Sequence, residues 1–342
     1  MTLYKIIAFG CLFLAATSGC TNIPCYPPGH YAPEPGAPYT AEAVRVQTPK
    51  GHGLAGTLTL PSGSDPPYPA VLLITGSSPQ ERDHMGTWRK PAGYYKPFRQ
   101  IADAISRKGI AVLRMDDQGV GCSGGGPFEN ITIQERADDS RAGIEYLRTN
   151  KEIDEERIGL LGLSEGGNIG PMIAASDPSI RALVMMAGSA TNGYEIVEYQ
   201  SRLRIDERSD LTDAEKERAL ENSMEGLNRA LFRGEGSPWL RSFLFYRPLP
   251  AAQNVSCPAL ILHGDKDAHV PVAHAHLLAK AMRTGGNKDV TVKIFADHNH
   301  LFLQDPDGSR SGYNDLLWHT NRLSEDVLKT ITDWLSRHLA ED

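Results

Sequence analysis

Cysteine is scarce in this sequence, and cysteines at the close spacing of a C-x-x-C motif are missing from it. Only five of the 342 residues are cysteine, and no two of them stand in a C-x-x-C arrangement. The sequence therefore indicates neither a structural zinc site nor a dense disulfide framework. Hydrophobic residues at 40%, charged residues at 23% and aromatic residues at 7% are close to globular averages. This composition excludes a disordered chain, a fibrous repeat and a multi-span membrane protein.

An excess of positive charge is also missing. Thirty-five basic residues face 42 acidic ones, which gives a net charge of -7 and a pI near 5.9. A partner with a phosphate backbone is therefore not expected, so we predict no binding of nucleic acid. The length fits two domains or a single α/β domain with one insertion.

The N-terminus has the pattern of an export signal. Lys5 precedes an apolar run over residues 6–16, which is too short for a permanent membrane span of about 20 residues. We expect residues 1–19 to be removed as a signal peptide. The small residues before Cys20 resemble the lipobox of bacterial lipoproteins, and this resemblance implies a cell-envelope protein anchored to the membrane through lipid on Cys20. Thr17 departs from the aliphatic residue usual there, so simple secretion or a periplasmic location stays open.

Proline is concentrated directly after this signal. Six prolines lie between residues 21 and 40, which favours extended backbone, so we predict a tether over residues 20–43. After cleavage the chain would keep Cys25, Cys122 and Cys257 in addition to Cys20. An oxidising compartment could pair two of them, and the sequence does not say which.

From residue 44 onward, strand and helix patterns alternate. Alternating residues at 44–47 and 54–60 predict a hairpin. Continuous apolar runs predict strands buried on both faces at residues 70–74, 110–113, 158–163, 182–186, 259–262 and 290–295. Apolar residues at helical spacing occur at 98–107, 137–148, 167–175, 272–283 and 324–339. This alternation requires right-handed crossovers and predicts a mostly parallel central sheet flanked by helices.

One segment interrupts the alternation. Residues 190–250 contain no buried strand but include a charged helical stretch at 210–233. We predict a helical cap insertion that covers the ends of the strands, between core segments 44–189 and 251–342. A solvated helical decoration without substrate contact is the alternative.

A candidate nucleophile follows the predicted strand at 158–163. Gly162, Ser164 and Gly166 form G-x-S-x-G, and a helical pattern follows. Such a turn from strand to helix exposes a serine hydroxyl, and glycines two residues away on either side remove clashing side chains. Ser164 is therefore the predicted nucleophile.

A serine of ordinary pKa needs a histidine base, and the base needs a carboxylate that orients it. Asp265 and Asp267 follow the predicted strand at 259–262, and His298 and His300 follow the strand at 290–295. Both partners thus occur in the chain order Ser, Asp, His.

These motifs together resemble the α/β-hydrolases of the serine esterase and serine aminopeptidase-like group, over residues 44–339. The family setting G-x-x-D-x-x-V-P falls on Asp267, and the setting N-H-x-F falls on His300. The resemblance therefore implies the α/β-hydrolase fold with Asp267 and His300 as catalytic partners. It also implies a helper loop at residues 113–124 and no cofactor.

The same resemblance supplies the oxyanion hole. The backbone N–H of Glu165, directly after the nucleophile, is one expected donor. The stretch 75–83 is similar to the G-S-G-P-x-x-R-D loop of bacterial esterases, in which the residue after the first glycine donates its N–H. That residue is Ser77 here, and Ser78 stands where the family has a second glycine. Arg82 and Asp83 either pair with each other and brace this loop or are ordinary surface charges.

The predicted function is hydrolysis of carboxylic esters through an acyl-enzyme intermediate, with a small-molecule ester or a short peptide as substrate. An aminopeptidase-like or thioester hydrolase is the second reading, and a lipid-anchored scaffold without catalysis is the third. No metal site is expected, because His274 and His276 do not share a helix face. The sequence leaves the oligomeric state open.

Overall fold

The computed structural model describes residues 23–63, 65–84, 95–309, 316, 320 and 322–340. Within them lie eight strands: β1 (Tyr39–Gln47), β2 (Gly53–Pro61), β3 (Tyr68–Ile74), β4 (Ala111–Met115), β5 (Ile153–Leu163), β6 (Ala182–Met186), β7 (Ala259–Gly264) and β8 (Val290–Phe295). The helices are α1 (Pro97–Ser106), α2 (Ile133–Thr149), α3 (Glu165–Ala174), α4 (Gly193–Asp206), α5 (Asp213–Phe232), α6 (Pro238–Phe245), α7 (Pro248–Gln253), α8 (Ala273–Thr284) and α9 (Glu325–Leu335).

The strands form one sheet in the order β1-β2-β4-β3-β5-β6-β7-β8. β1 and β2 pair antiparallel as the predicted hairpin, β2 pairs antiparallel with β4, and every pairing from β4 to β8 is parallel. The predicted mostly parallel sheet is therefore confirmed. In such a sheet the carboxyl ends of the parallel strands meet at one edge, which is where ligands bind.

The central strands are buried on both faces, as their continuous apolar runs predict. On β3, Leu72 belongs to the core on one side of the sheet, which α2, α3 and α8 cover. Its neighbours Val71 and Leu73 belong to the core on the other side, which α1 and α9 cover. Each such buried aliphatic side chain contributes about 1.5–3 kcal/mol of transfer free energy.

One boundary and one burial pattern differ from the sequence predictions for identifiable reasons. Helix α2 begins at Ile133, before the predicted residue 137, because Thr132 and Glu135 form a capping box that satisfies its first N–H groups. Strand β8 is at the sheet edge, and its residues between Val290 and Phe295 are exposed or half-buried. The prediction of burial on both faces is wrong for β8, because an edge strand has a neighbour on one side only.

The region predicted as a cap consists of helices α4, α5 and α6. Asn192, Thr212 and Ser237 cap their N-termini through side-chain oxygens. Their buried side chains pack on Val120, Phe128 and other residues after β4, so these helices are attached to the core.

The described part of the segment predicted as an extended tether does not have that structure. β1 begins at Tyr39, and Cys25 forms a disulfide with Cys122 in the loop after β4, which leaves Cys257 free. Tyr31 is buried, with the Arg82 guanidinium 4.1 Å from its ring centroid. This segment is therefore docked on the core, because a disulfide and a buried aromatic ring hold it. The predicted signal peptide and Cys20 lie outside the described residues, and among the described helices none is long and apolar enough to cross a membrane.

Candidate active site

Ser164 occupies a strained turn between β5 and α3. Its backbone angles are φ 58° and ψ −117°, in a region that non-glycine residues rarely adopt. A Cβ on Gly162 would lie 2.0 Å from the carbonyl oxygen of Gly166, and a Cβ on Gly166 would lie 2.1 Å from that of Ile74. Only glycine fits at both positions, which explains the G-x-S-x-G spacing.

Asp267 and His300 meet at the same edge of the sheet. Asp267 Oδ2 lies 2.8 Å from His300 Nδ1, and Asp267 Oδ1 accepts the N–H groups of His269 and Val270 at 2.8 Å each. Burial alone would raise the pKa of Asp267, but His300 and His263 outweigh it and hold this pKa well below the usual range. The structure thus brings together two of the sequence-predicted site residues as an ionised carboxylate and its imidazole partner.

Asp265 and His298, the alternative acid and histidine, have other surroundings. Asp265 is exposed to solvent. His298 places its Nδ1 2.6 Å from the carbonyl oxygen of Ala296 and packs against Phe295. Asp265 does not contact His300, and His298 does not contact Asp267.

A second histidine, which the sequence analysis did not single out, contacts the same carboxylate. His263 is fully buried, and its Nε2 lies 3.1 Å from Asp267 Oδ2 and 3.0 Å from the carbonyl oxygen of Val270. Because both neighbours accept hydrogen bonds, we assign a proton to Nε2. His263 lies in β7, directly before Gly264, where nothing in the sequence distinguishes it from an ordinary strand residue.

Ser164 and His300 line the same cleft. Ser77 and Glu165 line it as well, so all four are gathered around the same space. The ring of His269 lies 4.8 Å from the ring of His300, measured between centroids, and also faces the cleft.

The loop after β3 lies directly against the turn that carries Ser164. A Cβ on Gly76 would lie 3.3 Å from the Cβ of Ser164, so Ser77 directly follows a residue that lies against the nucleophile. Ser78 has φ 68°, which explains why the related loop has glycine there. Burial lowers the pKa of His84 to about 3, so this imidazole is neutral and its Nδ1 accepts the N–H of Gly76 at 3.4 Å.

Arg82 and Asp83 brace this loop, but they do not pair with each other, because each pairs with a residue from another segment. Arg82 makes a two-pronged ion pair with Asp116, with Nε 2.8 Å from Oδ1 and Nη2 2.7 Å from Oδ2. Asp83 pairs with Arg114 at the end of β4. All four side chains are buried, so both expectations from the sequence, mutual pairing and surface exposure, are wrong. The partners come from the predicted helper loop and the strand before it.

Arg136 was not anticipated and lies behind the nucleophile. Its Nη1 is 3.1 Å from Glu165 Oε2, and its Nη2 is 3.4 Å from Asp117 Oδ1 and 2.9 Å from Thr75 Oγ1. Asp117 in turn accepts the N–H of Gln80 at 3.0 Å. Arg136 therefore connects α2 with both the loop after β3 and the residue that follows Ser164. It stands just before the predicted start of its helix, where the sequence showed no sign of burial.

The histidines considered for a metal site have different surroundings. His274 is buried, and its Nδ1 accepts the N–H of Ala190 at 3.1 Å, whereas His276 is exposed. Burial lowers the pKa of His274 to about 4. The two side chains thus lie on different faces of α8.

The sheet order, the turn at Ser164 and the cleft define the class of protein to which this chain belongs, which is that of the α/β-hydrolases. Solved structures share this fold. An esterase of Pyrococcus furiosus matches with a TM-score of 0.56 and 16% identity, covering 92% of this chain and 96% of its own. The α/β hydrolase GrgF of a Penicillium species matches with a TM-score of 0.58 and 20% identity, covering 88% and 99%.

Sequence comparison gives the family. Residues 129–341 match the model of the prolyl oligopeptidase family, Peptidase_S9, which is more than half of the chain. The chain belongs to that family. Esterase EstD of Thermotoga maritima is 28% identical over 258 residues, which cover 74% of this chain and 58% of the esterase. The match thus spans just over half the length of this relative, and these comparisons support a hydrolase enzyme.

Proposed function

We propose that the protein is a serine hydrolase that cleaves carboxylic esters by acyl transfer. The observation that carries this proposal is the 2.8 Å contact of Asp267 with His300, at a cleft that His300 shares with Ser164. An imidazole oriented by an ionised carboxylate is the base that a serine nucleophile requires.

In the proposed first half-reaction, Ser164 Oγ attacks the ester carbonyl carbon and His300 Nε2 takes its proton. Asp267 stabilises the imidazolium that forms. The backbone N–H groups of Ser77 and Glu165 donate to the oxyanion of the tetrahedral intermediate, which then expels the alcohol with the proton from His300. In the second half-reaction, His300 activates a water molecule that attacks the acyl-serine, and the acid leaves.

A fluorophosphonate probe on the intact protein tests this assignment. We expect stoichiometric labelling of the parent protein and none of the Ser164→Ala variant. Labelling of both to the same extent, or of neither, would reject Ser164 as the nucleophile and favour a scaffold without catalysis.

The leaving group is the second question. We propose esters rather than peptides with a free α-amine, because Glu165, the carboxylate that lines the cleft, is already paired with Arg136. The test compares p-nitrophenyl esters with aminoacyl anilides at equal enzyme concentration. Faster turnover of the anilides would favour the aminopeptidase-like reading.

We also propose that the protein is exported and that Cys20 carries lipid. The Cys25–Cys122 disulfide supports export, because disulfides persist mainly in oxidising compartments. Labelled palmitate is expected in the parent protein and not in the Cys20→Ser variant. Absence of label from both would indicate simple secretion.

A further inference from the structure

The side chain of Glu165 joins three separate parts of the chain beside the cleft. Glu165 directly follows Ser164, and its Oε2 lies 3.1 Å from Nη1 of Arg136 on α2. Both of its carboxylate oxygens lie 3.2 Å from Nε1 of Trp239 on the cap helix α6, and this indole N–H donates to them. The side chains of Arg136 and Glu165 are 4% and 1% exposed, and Trp239 is 3% exposed.

These contacts depend on one another. Arg136 supplies the charge that a buried carboxylate needs, and the indole supplies its hydrogen-bond donor. If α6 moved away from α3, the buried N–H group of Trp239 would lose its acceptor, and the Glu165 carboxylate would lose this donor and keep its contact with Arg136. The position of the cap helix is therefore tied to the residue next to the nucleophile.

Trp239 also contacts the wall of the cleft. Its ring stacks on Phe243, one helical turn further along α6, with centroids 5.5 Å apart and planes 14° apart. Phe243 lines the same cleft as Ser164 and Glu165. Displacement of the indole thus displaces the aromatic wall.

We propose that Glu165 and Trp239 are positioning residues that set the acyl specificity of the site, by clamping Phe243 as a fixed wall of the cleft. This inference rests on the proposed serine hydrolase function. It gives Glu165 a second role, since its backbone N–H serves the oxyanion while its side chain holds the cap.

The clamp also defines the chemical class of the acyl group. Apart from Glu165 and the imidazoles of His269 and His300, the described residues that line the cleft carry no ionisable side chain. Because the carboxylate is engaged by Arg136 and Trp239, it is not available to a substrate ammonium group. The site therefore takes an uncharged acyl group whose length is limited by Phe243.

The Trp239→Phe variant tests the clamp, because it keeps an aromatic ring for Phe243 but lacks the N–H group. The measurement is the ratio of kcat/KM for p-nitrophenyl hexanoate to that for p-nitrophenyl acetate. We expect this ratio to rise by about tenfold, the discrimination that a single poorly accommodated methylene group produces in an apolar pocket. An unchanged ratio in a folded variant would overturn the proposal.

Two further variants separate the clamp from general damage to the cap. Glu165→Gln keeps an oxygen that accepts the indole N–H, so we expect it to retain the parent ratio of hexanoate to acetate kcat/KM, whatever its absolute rate of hydrolysis. A ratio like that of Trp239→Phe would contradict the hydrogen-bond argument. Phe232→Leu removes a 94% exposed aromatic ring from the end of α5 and serves as the matched control. A shift in the control as large as in Trp239→Phe would show that the ratio reports loosening of the whole cap.

Hydrogen exchange of the Trp239 indole N–H, followed by NMR in the intact protein, tests the clamp without any turnover. The signal is assigned by its loss in Trp239→Phe. We expect slow exchange in the parent protein and a changed chemical shift in Glu165→Gln. Exchange as fast as for an exposed indole would reject the clamp, even if the protein hydrolyses esters. Equal inactivity of the parent and Ser164→Ala would instead reject the hydrolase function.

Discussion

Replacing Arg82 by methionine removes the buried guanidinium that braces the loop beside Ser164. The Arg82 side chain is 4% exposed and its partner Asp116 is 0% exposed. Besides the two contacts with Asp116, Arg82 Nη1 donates to the carbonyl oxygen of Gly56 at 2.6 Å and to Thr57 Oγ1 at 3.0 Å. The substitution therefore removes the side-chain donors of a buried carboxylate and a buried carbonyl, while Asp116 keeps the backbone N–H groups of residue 82 and Cys122.

The expected cost follows from burial. Removing one partner of a buried ion pair lowers the free energy of unfolding by about 3–5 kcal/mol, whereas an exposed pair contributes about 0–1 kcal/mol. Asp116 also accepts the backbone N–H of Arg82 at 2.9 Å, a contact that methionine retains, so the loop loses only the side-chain part of its brace. A displacement of about 1 Å at a reacting group lowers turnover by about 100-fold, so we expect kcat for a p-nitrophenyl ester to fall by about 10- to 100-fold.

Urea unfolding followed by circular dichroism measures the stability, and steady-state kinetics measure the turnover. Arg107→Met is the matched control, because Arg107 pairs with Asp103 on the surface of α1 and its side chain is 46% exposed. The control should lose at most about 0.5 kcal/mol. In the Arg82→Met/Asp116→Asn double variant the losses should not add, because the two side chains interact directly. A loss below about 1 kcal/mol in Arg82→Met would refute the assignment of a buried brace.

Three further predictions concern the acid, a buried histidine and the disulfide. Asp267→Asn should lower kcat for a p-nitrophenyl ester by about 10⁴-fold, because the amide favours the wrong imidazole tautomer; Asp265→Asn, at an exposed position, should not, and equal losses would reject the assignment. Because burial lowers the pKa of His274 to about 4, the unfolded chain binds a proton near pH 6.5 that the folded chain does not bind until about pH 4. Stability should therefore fall through that window as the pH drops, and in urea titrations the fall at pH 5 should be about 2 kcal/mol larger for the parent than for His274→Asn. Reduction of the Cys25–Cys122 disulfide by dithiothreitol should cost about 2–4 kcal/mol in urea unfolding of the parent; a response of the same size in Cys25→Ser would contradict this.

Much of the site could be predicted because its chemistry is encoded in short motifs. The turn at Ser164 needs a strand, a helix and two glycines that lie within a few residues of it, so the spacing alone identifies it. Asp267 and His300 could be chosen over Asp265 and His298 because each stands in a sequence setting that resembles the one in the related hydrolases. The role of His263 could not be chosen in this way, because nothing next to it in the chain distinguishes a buried hydrogen-bond donor from an ordinary strand residue.

The remaining contacts depend on which distant segments meet. Arg82 pairs with Asp116 rather than with adjacent Asp83, and Glu165 contacts Trp239, 74 residues away. A charged or aromatic residue carries no local sign of its partner, because buried charges are satisfied by whichever group the packed elements bring near. The sequence by itself determined the strands, the helices and the turn at Ser164, since these follow from periodicity and turn chemistry, whereas the choice of Asp267 and His300 rested on the family resemblance. Only the tertiary structure decided the buried ion pairs, the partner of Cys25 and the contact of the cap with the nucleophile turn, because these require chain segments far apart in sequence to pack against each other.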